Sequence, residues 1–424
     1  MVYLALILPL ITLLFLRKLF SRTYLNPTGI LCGVWILIVS LESFFAPHFY
    51  FSYDVVFYVL IFVLFFFLGE LLHSVSSKNG SKKQLFLDLN ETYMDRLKKH
   101  TIYISVFSFI GAVFYLKAFV DHFGSFQAFF TAGALIRTDL FDGEIAMPFY
   151  AVVPMLFSYS AINLAMVYYV KYGFSWFQVI PFLSVLIMSF SQAARAGLVI
   201  VIFQILTGII FRLLLKNDKN VEFKLIKPIL LIIPTLFVVF TLVESFRYQN
   251  FSTSSDRIES TNDSFNVYTF GGVAGFSNYI DNIYPLDKPL TLGRYTFSSL
   301  YNVLGIDKAE TGIYDQYLKV SPNNTANIYS IFRPLIEDFG FLGFLIWAFV
   351  LGVVSNFCFE KSLKGSLVTL SMSISIYIYL MFSFIAPLTQ FNSFILSCVL
   401  CPGILIYLSK SKGKYHKAAR IKIV

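Results

Sequence analysis

Residues 53–72 read YDVVFYVLIFVLFFFLGELL. Between Asp54 and Glu70 the chain carries no charge at all, and no polar stripe recurs at helical spacing. A surface helix of a soluble domain keeps a polar face toward water; this segment has none. At about 1.5 Å rise per residue, some 20 such residues cross a hydrocarbon core about 30 Å thick. The stretch is therefore a transmembrane helix, and the rest of the chain repeats the pattern.

Of the 424 residues, 57% are hydrophobic and 13% charged; Phe contributes 49 and Tyr 26, and the mean hydropathy is +0.72. A soluble domain is about 25% charged, so too little polar surface exists here to cover a water-exposed globule. That excludes a soluble or disordered protein. Apolar segments of spanning length fall at 1–16, 27–46, 53–72, 100–120, 148–170, 175–191, 194–215, 228–245, 339–359, 366–386 and 389–409. The expected fold is an all-α polytopic membrane protein with about eleven transmembrane helices. Its parts are a membrane bundle over 1–245 with an outer loop at 121–147, a large outer loop over 246–338 packed on the bundle, three more spans over 339–409, and a basic tail at 410–424. The first span reads as a membrane helix rather than a cleaved signal, because its charges, Arg17, Lys18 and Arg22, follow the apolar run instead of preceding it.

Placing the N-terminus outside puts 23 of the 33 Lys and Arg residues on inner segments, as the positive-inside rule asks. The C-terminus is then cytoplasmic, and the net charge of +9 needs no nucleic-acid partner. Among the ten outward basic residues, six are arginine: Arg137, Arg195, Arg247, Arg257, Arg294 and Arg333. Lysine dominates inside, where charge only sets orientation. Guanidinium forks suit phosphate and carboxylate oxygens, so the outward arginines mark an anion-binding surface; local pairing with Asp or Glu is the plainer use of each one. Helix centres hold neutral polar groups such as Asn163 and Gln204, which argues against a proton- or ion-coupled transporter. The four cysteines sit in apolar runs, and the five histidines are scattered. His122 reads as an interfacial anchor. Outside, the nearest approach to a paired-carboxylate metal motif is Asp139-Leu140-Phe141-Asp142, so no obligatory metal or other cofactor is expected.

Polar chemistry gathers at the outer boundary. Arg195 opens the seventh span amid small residues. Glu244 and Arg247 close the eighth about a turn apart, and Arg333, Glu337 and Asp338 precede the ninth. Arg333 and Glu337 would pair if that piece is helical, while Glu337 and Asp338 could simply cap the ninth helix.

Three stretches go further: Phe270-Gly271-Gly272-Val273-Ala274-Gly275-Phe276 followed by Tyr279; Gly293-Arg294-Tyr295-Thr296-Phe297; and Thr325-Ala326-Asn327-Ile328-Tyr329-Ser330-Ile331-Phe332-Arg333-Pro334, running into Glu337-Asp338-Phe339-Gly340-Phe341-Leu342-Gly343. With the small-residue segment at Arg195, they resemble the Wzy-type O-antigen or oligosaccharide repeat-unit polymerases of bacterial inner membranes. Residue-level likeness runs from Phe270 to Gly343, plus Arg195. The resemblance implies a multi-pass inner-membrane glycosyltransferase with its active site facing the periplasm. Such an enzyme transfers the growing glycan from undecaprenyl diphosphate onto a fresh undecaprenyl-diphosphate-linked repeat unit. Its partners are that lipid-linked oligosaccharide as donor and acceptor, the bilayer, and, as a candidate, a chain-length regulator protein.

On this reading Arg195, Arg247 and Arg333 contact the diphosphates, with Arg137 in the same outward set. Asp338, or else Glu337 or Glu244, is the base on the acceptor hydroxyl. Tyr329, Asn327 and Arg294 contact sugars, and Gly271 and Gly272 serve a tight turn that a side chain would block. The competing readings are a glycan ligase on the same lipid, a lipid-linked oligosaccharide flippase and a scaffold.

Overall fold

The computed structural model describes the chain apart from residues 22, 77–90, 134, 217–219, 249–254, 285–288, 307–313, 315 and 411–424. Its helices are α1 (Val2–Phe20), α2 (Pro27–Phe45), α3 (Tyr53–Ser76), α4 (Glu91–Phe123), α5 (Phe126–Thr131), α6 (Leu135–Phe141), α7 (Phe149–Met155), α8 (Ser158–Tyr172), α9 (Val179–Ser191), α10 (Ala196–Leu215), α11 (Val221–Tyr248), α12 (Ser255–Asn282), α13 (Ser298–Val303), α14 (Phe332–Leu363), α15 (Leu367–Met381) and α16 (Asn392–Lys410). Two short strands, β1 (Leu318–Lys319) and β2 (Thr325–Ala326), pair antiparallel with Leu318 opposite Ala326. Among the described residues, eight helical stretches are long and apolar enough to cross a membrane: α1, α2, α3, α4, the α7–α8 pair, α10, α14 and α16. Shorter apolar helices lie at Trp176–Ser191, Phe237–Phe246 and Leu367–Met381. This is a helical membrane protein.

Several boundaries differ from the hydropathy reading for local reasons. The 148–170 segment is two helices, because Pro154 lacks the N–H that would continue the ladder and the chain turns at Leu156 and Phe157. Helix α4 begins at Glu91 and takes in Arg96, Lys98 and Lys99, which hydropathy alone assigns to a loop. Within 246–338 the main element is the 28-residue helix α12, which is polar at its start and buried from Phe270 to Ser277.

The chain divides into two compact units, each discontinuous in sequence and neither coinciding with the hydropathy segments. One comprises Met1–Gly80, Ile233–Phe357 and Ile376–Asn392; the other comprises Ser81–Ile232, Cys358–Ser375 and Ser393–Val424.

The core of the first unit is aromatic. Trp35 stacks on Phe332 at 5.2 Å and donates its indole N–H to Ser383 Oγ at 3.1 Å. Phe62, Phe276 and Phe344 close around the same Phe332 ring at 5.2–5.6 Å. Helices α3 and α14 touch backbone to backbone: a Cβ on Gly69 would stand 2.1 Å from Phe349 O, and one on Gly352 2.0 Å from Phe66 O. Arg17 is buried in the same unit. Its Nε meets Glu70 Oε2 at 2.5 Å, its Nη2 donates to Asn356 Oδ1 at 3.0 Å, and Glu70 Oε1 accepts from Thr28 N at 2.9 Å. A buried ion pair persists only when such extra hydrogen bonds offset its desolvation.

The second unit is knitted by small polar side chains between helices. Ser108 and Ser158 share a hydrogen bond of 2.7 Å, Asn163 exchanges bonds with Ser371 and donates to Ser375 Oγ at 3.0 Å, and Gln178 donates to Ala165 O at 2.9 Å. In hydrocarbon these groups have no water to turn to, so each must find a protein partner.

Candidate functional site: an arginine in a tyrosine cage

Helix α14 is interrupted at Gly340, whose φ of 66° and ψ of −177° belong to a region open essentially only to glycine. The break sets off a first segment, Phe332–Phe339, that carries Arg333, Glu337 and Asp338. Because this piece is helical, Arg333 and Glu337 lie one turn apart and pair, Nε to Oε1 at 3.4 Å.

Arg333 is only 3% exposed, and three tyrosine rings surround its guanidinium: Tyr279 at 4.1 Å, Tyr314 at 3.8 Å and Tyr329 at 4.1 Å. Its Nη2 donates to Gln316 Oε1 at 2.9 Å. The electron-rich faces of phenol rings attract a cation, and more strongly once it is desolvated. The same rings secure the counter-charge: Tyr279 OH donates to Glu337 Oε1 at 2.6 Å, and Tyr314 OH donates to Glu337 Oε2 at 2.7 Å. The third phenol, Tyr329, donates to Gln316 O. Burial, and then the Glu337 carboxylate, push the Tyr279 and Tyr314 phenols upward, so both remain donors at any ordinary pH. The result is a rigid cationic group, neutralised by a carboxylate and walled by aromatic faces.

Asp338 is employed differently. It is fully buried and accepts from Thr291 Oγ1 (2.5 Å), Tyr295 N (3.1 Å) and Thr296 N (2.5 Å). Backbone N–H groups of Thr291 and Leu292 donate to Glu337 O and Asp338 O. Asp338 thereby clamps the 291–297 turn, in which Leu292 and Gly293 both adopt positive φ. Arg294, on that turn, is exposed.

The cage rests on glycines, and here a sequence reading needs correction. Gly271 and Gly272 lie inside helix α12, in no turn. A Cβ on Gly272 would stand 2.2 Å from Phe384 O and 3.2 Å from Ser330 N; one on Gly275 would stand 2.7 Å from Ile328 O and 3.2 Å from the Tyr329 ring. Bare backbone on this face of α12 lets the 328–330 segment lie against the helix, which delivers Tyr329 to Arg333 while Tyr279 arrives from the same helix. Gly271 has no such contact, its nearest neighbour being Ala326 Cβ at 3.4 Å.

The other expected site residues are placed as follows. Glu244, on α11, is buried and accepts from Ser264 Oγ of α12 at 2.7 Å, a contact separate from the cage. Asn327 is half-exposed just after β2. The side chains of Arg137 and Arg247 lie outside the described residues. Arg195 belongs to the second unit, where it is 6% exposed and stands at the N-cap of α10. The turn before it is sharp, with Ala193 at φ 49° and Ala194 N donating to Ser189 O at 2.8 Å. Gly197 lies close by, where a Cβ would stand 2.7 Å from Ser189 Oγ.

Spacing offered no warning of Tyr314 and Gln316, which come from a loop 19 and 17 residues before Arg333. The only sequence signal was the aromatic excess of the segment. Compared with protein-family models, with curated proteins and with solved structures, the chain matches none.

Proposed function

We propose that this chain is a membrane glycan polymerase of the Wzy type. It would have eleven crossings with the N-terminus outside and would work at the periplasmic face of a bacterial inner membrane. Its reaction is transfer of a growing glycan from undecaprenyl diphosphate to a hydroxyl of a new undecaprenyl-diphosphate-linked repeat unit.

The observation that carries the reading is the Arg333 cage. A buried guanidinium held by aromatic faces keeps its fork oriented, and its carboxylate partner is one that an incoming anion can replace. In the proposed reaction a diphosphate oxygen takes the place of Glu337 on Arg333. The guanidinium then stabilises the charge that the leaving diphosphate acquires, and the released Glu337 accepts the proton of the attacking hydroxyl. Tyrosine rings suit a sugar as well as a cation, since their flat apolar faces pack on C–H bonds while the hydroxyls bond to polar groups.

Of the three carboxylates, Asp338 is committed to the 291–297 turn, so the base role falls to Glu337, with Glu244 as the alternative. Arg195, in its own unit, keeps the diphosphate role that the resemblance gives it, at the N-cap of α10.

Deletion and complementation followed by a gel of the cell's lipopolysaccharide tests the proposal. Loss of the ladder with a core-plus-one-unit band surviving identifies the polymerisation step. Loss of every glycan band would make the ligase or flippase reading the better one, and an unchanged ladder contradicts an O-antigen role.

A further inference from the structure

Away from the cage, the second unit gathers three groups of another kind. His122 stands in the last turn of α4. The chain leaves through α5, returns along α6, and brings Asp139 Oδ2 to 3.1 Å from His122 Nε2. A tight reversal then folds Glu144 back: the N–H groups of Glu144 and Ile145 both donate to Asp139 O, at 2.9 and 3.3 Å, with Gly143 at φ 76°. One imidazole nitrogen and two carboxylate oxygens, from three separate places, lie within 4.8 Å of one another.

That separation is the width of one coordination sphere. Ligand bonds of about 2.0–2.4 Å place two donors on a shared ion no more than about 4–4.8 Å apart. Two carboxylates held this close repel each other, and a dication at their centre removes the repulsion. The side chains of His122 and Asp139 are 27% and 16% exposed, which leaves room for water to complete the sphere. The imidazole among the ligands favours zinc over calcium and magnesium, and the two carboxylates also suit manganese.

We propose that His122, Asp139 and Glu144 bind one divalent cation of the zinc or manganese class. The inference replaces the sequence expectation of no metal, and it stands apart from the reading of Arg333. The rival arrangement is a His122–Asp139 ion pair with Glu144 a bystander. The two differ in what Glu144 does.

The test uses the full-length protein in detergent, stripped with a chelator, exchanged into buffer at pH 8 and titrated with ZnCl2, MnCl2 and CaCl2 by calorimetry. We expect about one equivalent of Zn2+ or Mn2+ to bind more tightly than Ca2+. His122→Gln, Asp139→Asn and Glu144→Gln should each weaken that binding at least about tenfold, and His48→Gln should not. Absence of binding in the wild-type protein, or equal binding in all variants, overturns the site. Unchanged binding in Glu144→Gln alone overturns it as a three-ligand site. Should a variant aggregate, pulsed electron paramagnetic resonance of Mn2+ on the wild-type protein decides instead: coupling to an imidazole nitrogen supports the site, and a spectrum with oxygen ligands only overturns it.

Discussion

Replacing Arg333 by methionine and Glu337 by glutamine should cost much less together than the two separate costs added. Arg333 and Glu337 are each about 3% exposed and paired at 3.4 Å, so neither charge has water to fall back on. Arg333→Met leaves Glu337 with two phenol donors and no cation. Breaking one side of a buried pair costs about 3–5 kcal/mol, and the lost cation–π contacts act in the same direction. Glu337→Gln leaves the caged guanidinium without its counter-charge and should cost a similar amount. If the two acted independently, the double variant would lose roughly 6–10 kcal/mol, a large part of a typical protein's stability. Removing both charges instead abolishes the uncompensated one, so the double variant should lose at least about 3 kcal/mol less than that sum. Unfolding in mixed micelles, with four proteins forming a double-mutant cycle, measures the coupling. Additivity within about 0.5 kcal/mol would show that the two groups do not share one buried site.

Gly272→Ala drives a methyl group to 2.2 Å from Phe384 O and should cost about 1–3 kcal/mol or prevent folding, whereas Gly271→Ala, with 3.4 Å of room, should be nearly silent; melting temperatures of the two separate them. Gly340→Ala, forced into a backbone region that only glycine occupies comfortably, should destabilise by about 1–3 kcal/mol, and a wild-type melting temperature would contradict the break in α14. Asp338→Ala should release the 291–297 turn, seen as faster proteolysis there with the membrane helices intact. The Tyr279 and Tyr314 phenols are raised above the ordinary tyrosine value, so their contribution is fully present below pH about 10 and is lost as the pH rises beyond it. A melting temperature that falls above pH 10 in the wild type, and falls less in Tyr279→Phe, is the expected result.

Hydropathy made the membrane class legible because runs such as 55–69 admit no other environment. It reads 246–338 as a partly helical outer segment without marking α12, which is polar over its first half. Its buried half is marked by glycine and alanine, small residues that hydropathy scores weakly. The Arg333–Glu337 pair was visible from i,i+4 spacing, but its cage was not: Tyr279, Tyr314 and Gln316 come from 54, 19 and 17 residues before Arg333, and nothing local announces that they converge. The same limit hid His122, Asp139 and Glu144, whose spacing matches no metal motif and whose meeting depends on the return through α6. Asp338 looked like a base because it is acidic beside an arginine. Its three donors make it the clamp of a turn.

The central claim concerns Arg333 and a lipid diphosphate, and the most direct measurement is polymer formation by the purified protein from a lipid-linked repeat unit, wild type beside Arg333→Lys. The lysine variant keeps the charge and loses the fork and the flat face that fits the tyrosines. We expect the wild type to build a ladder of lengthened glycans, and the variant, at matched folding by gel filtration and melting, to build none. Wild-type ladders from Arg333→Lys would contradict the claim.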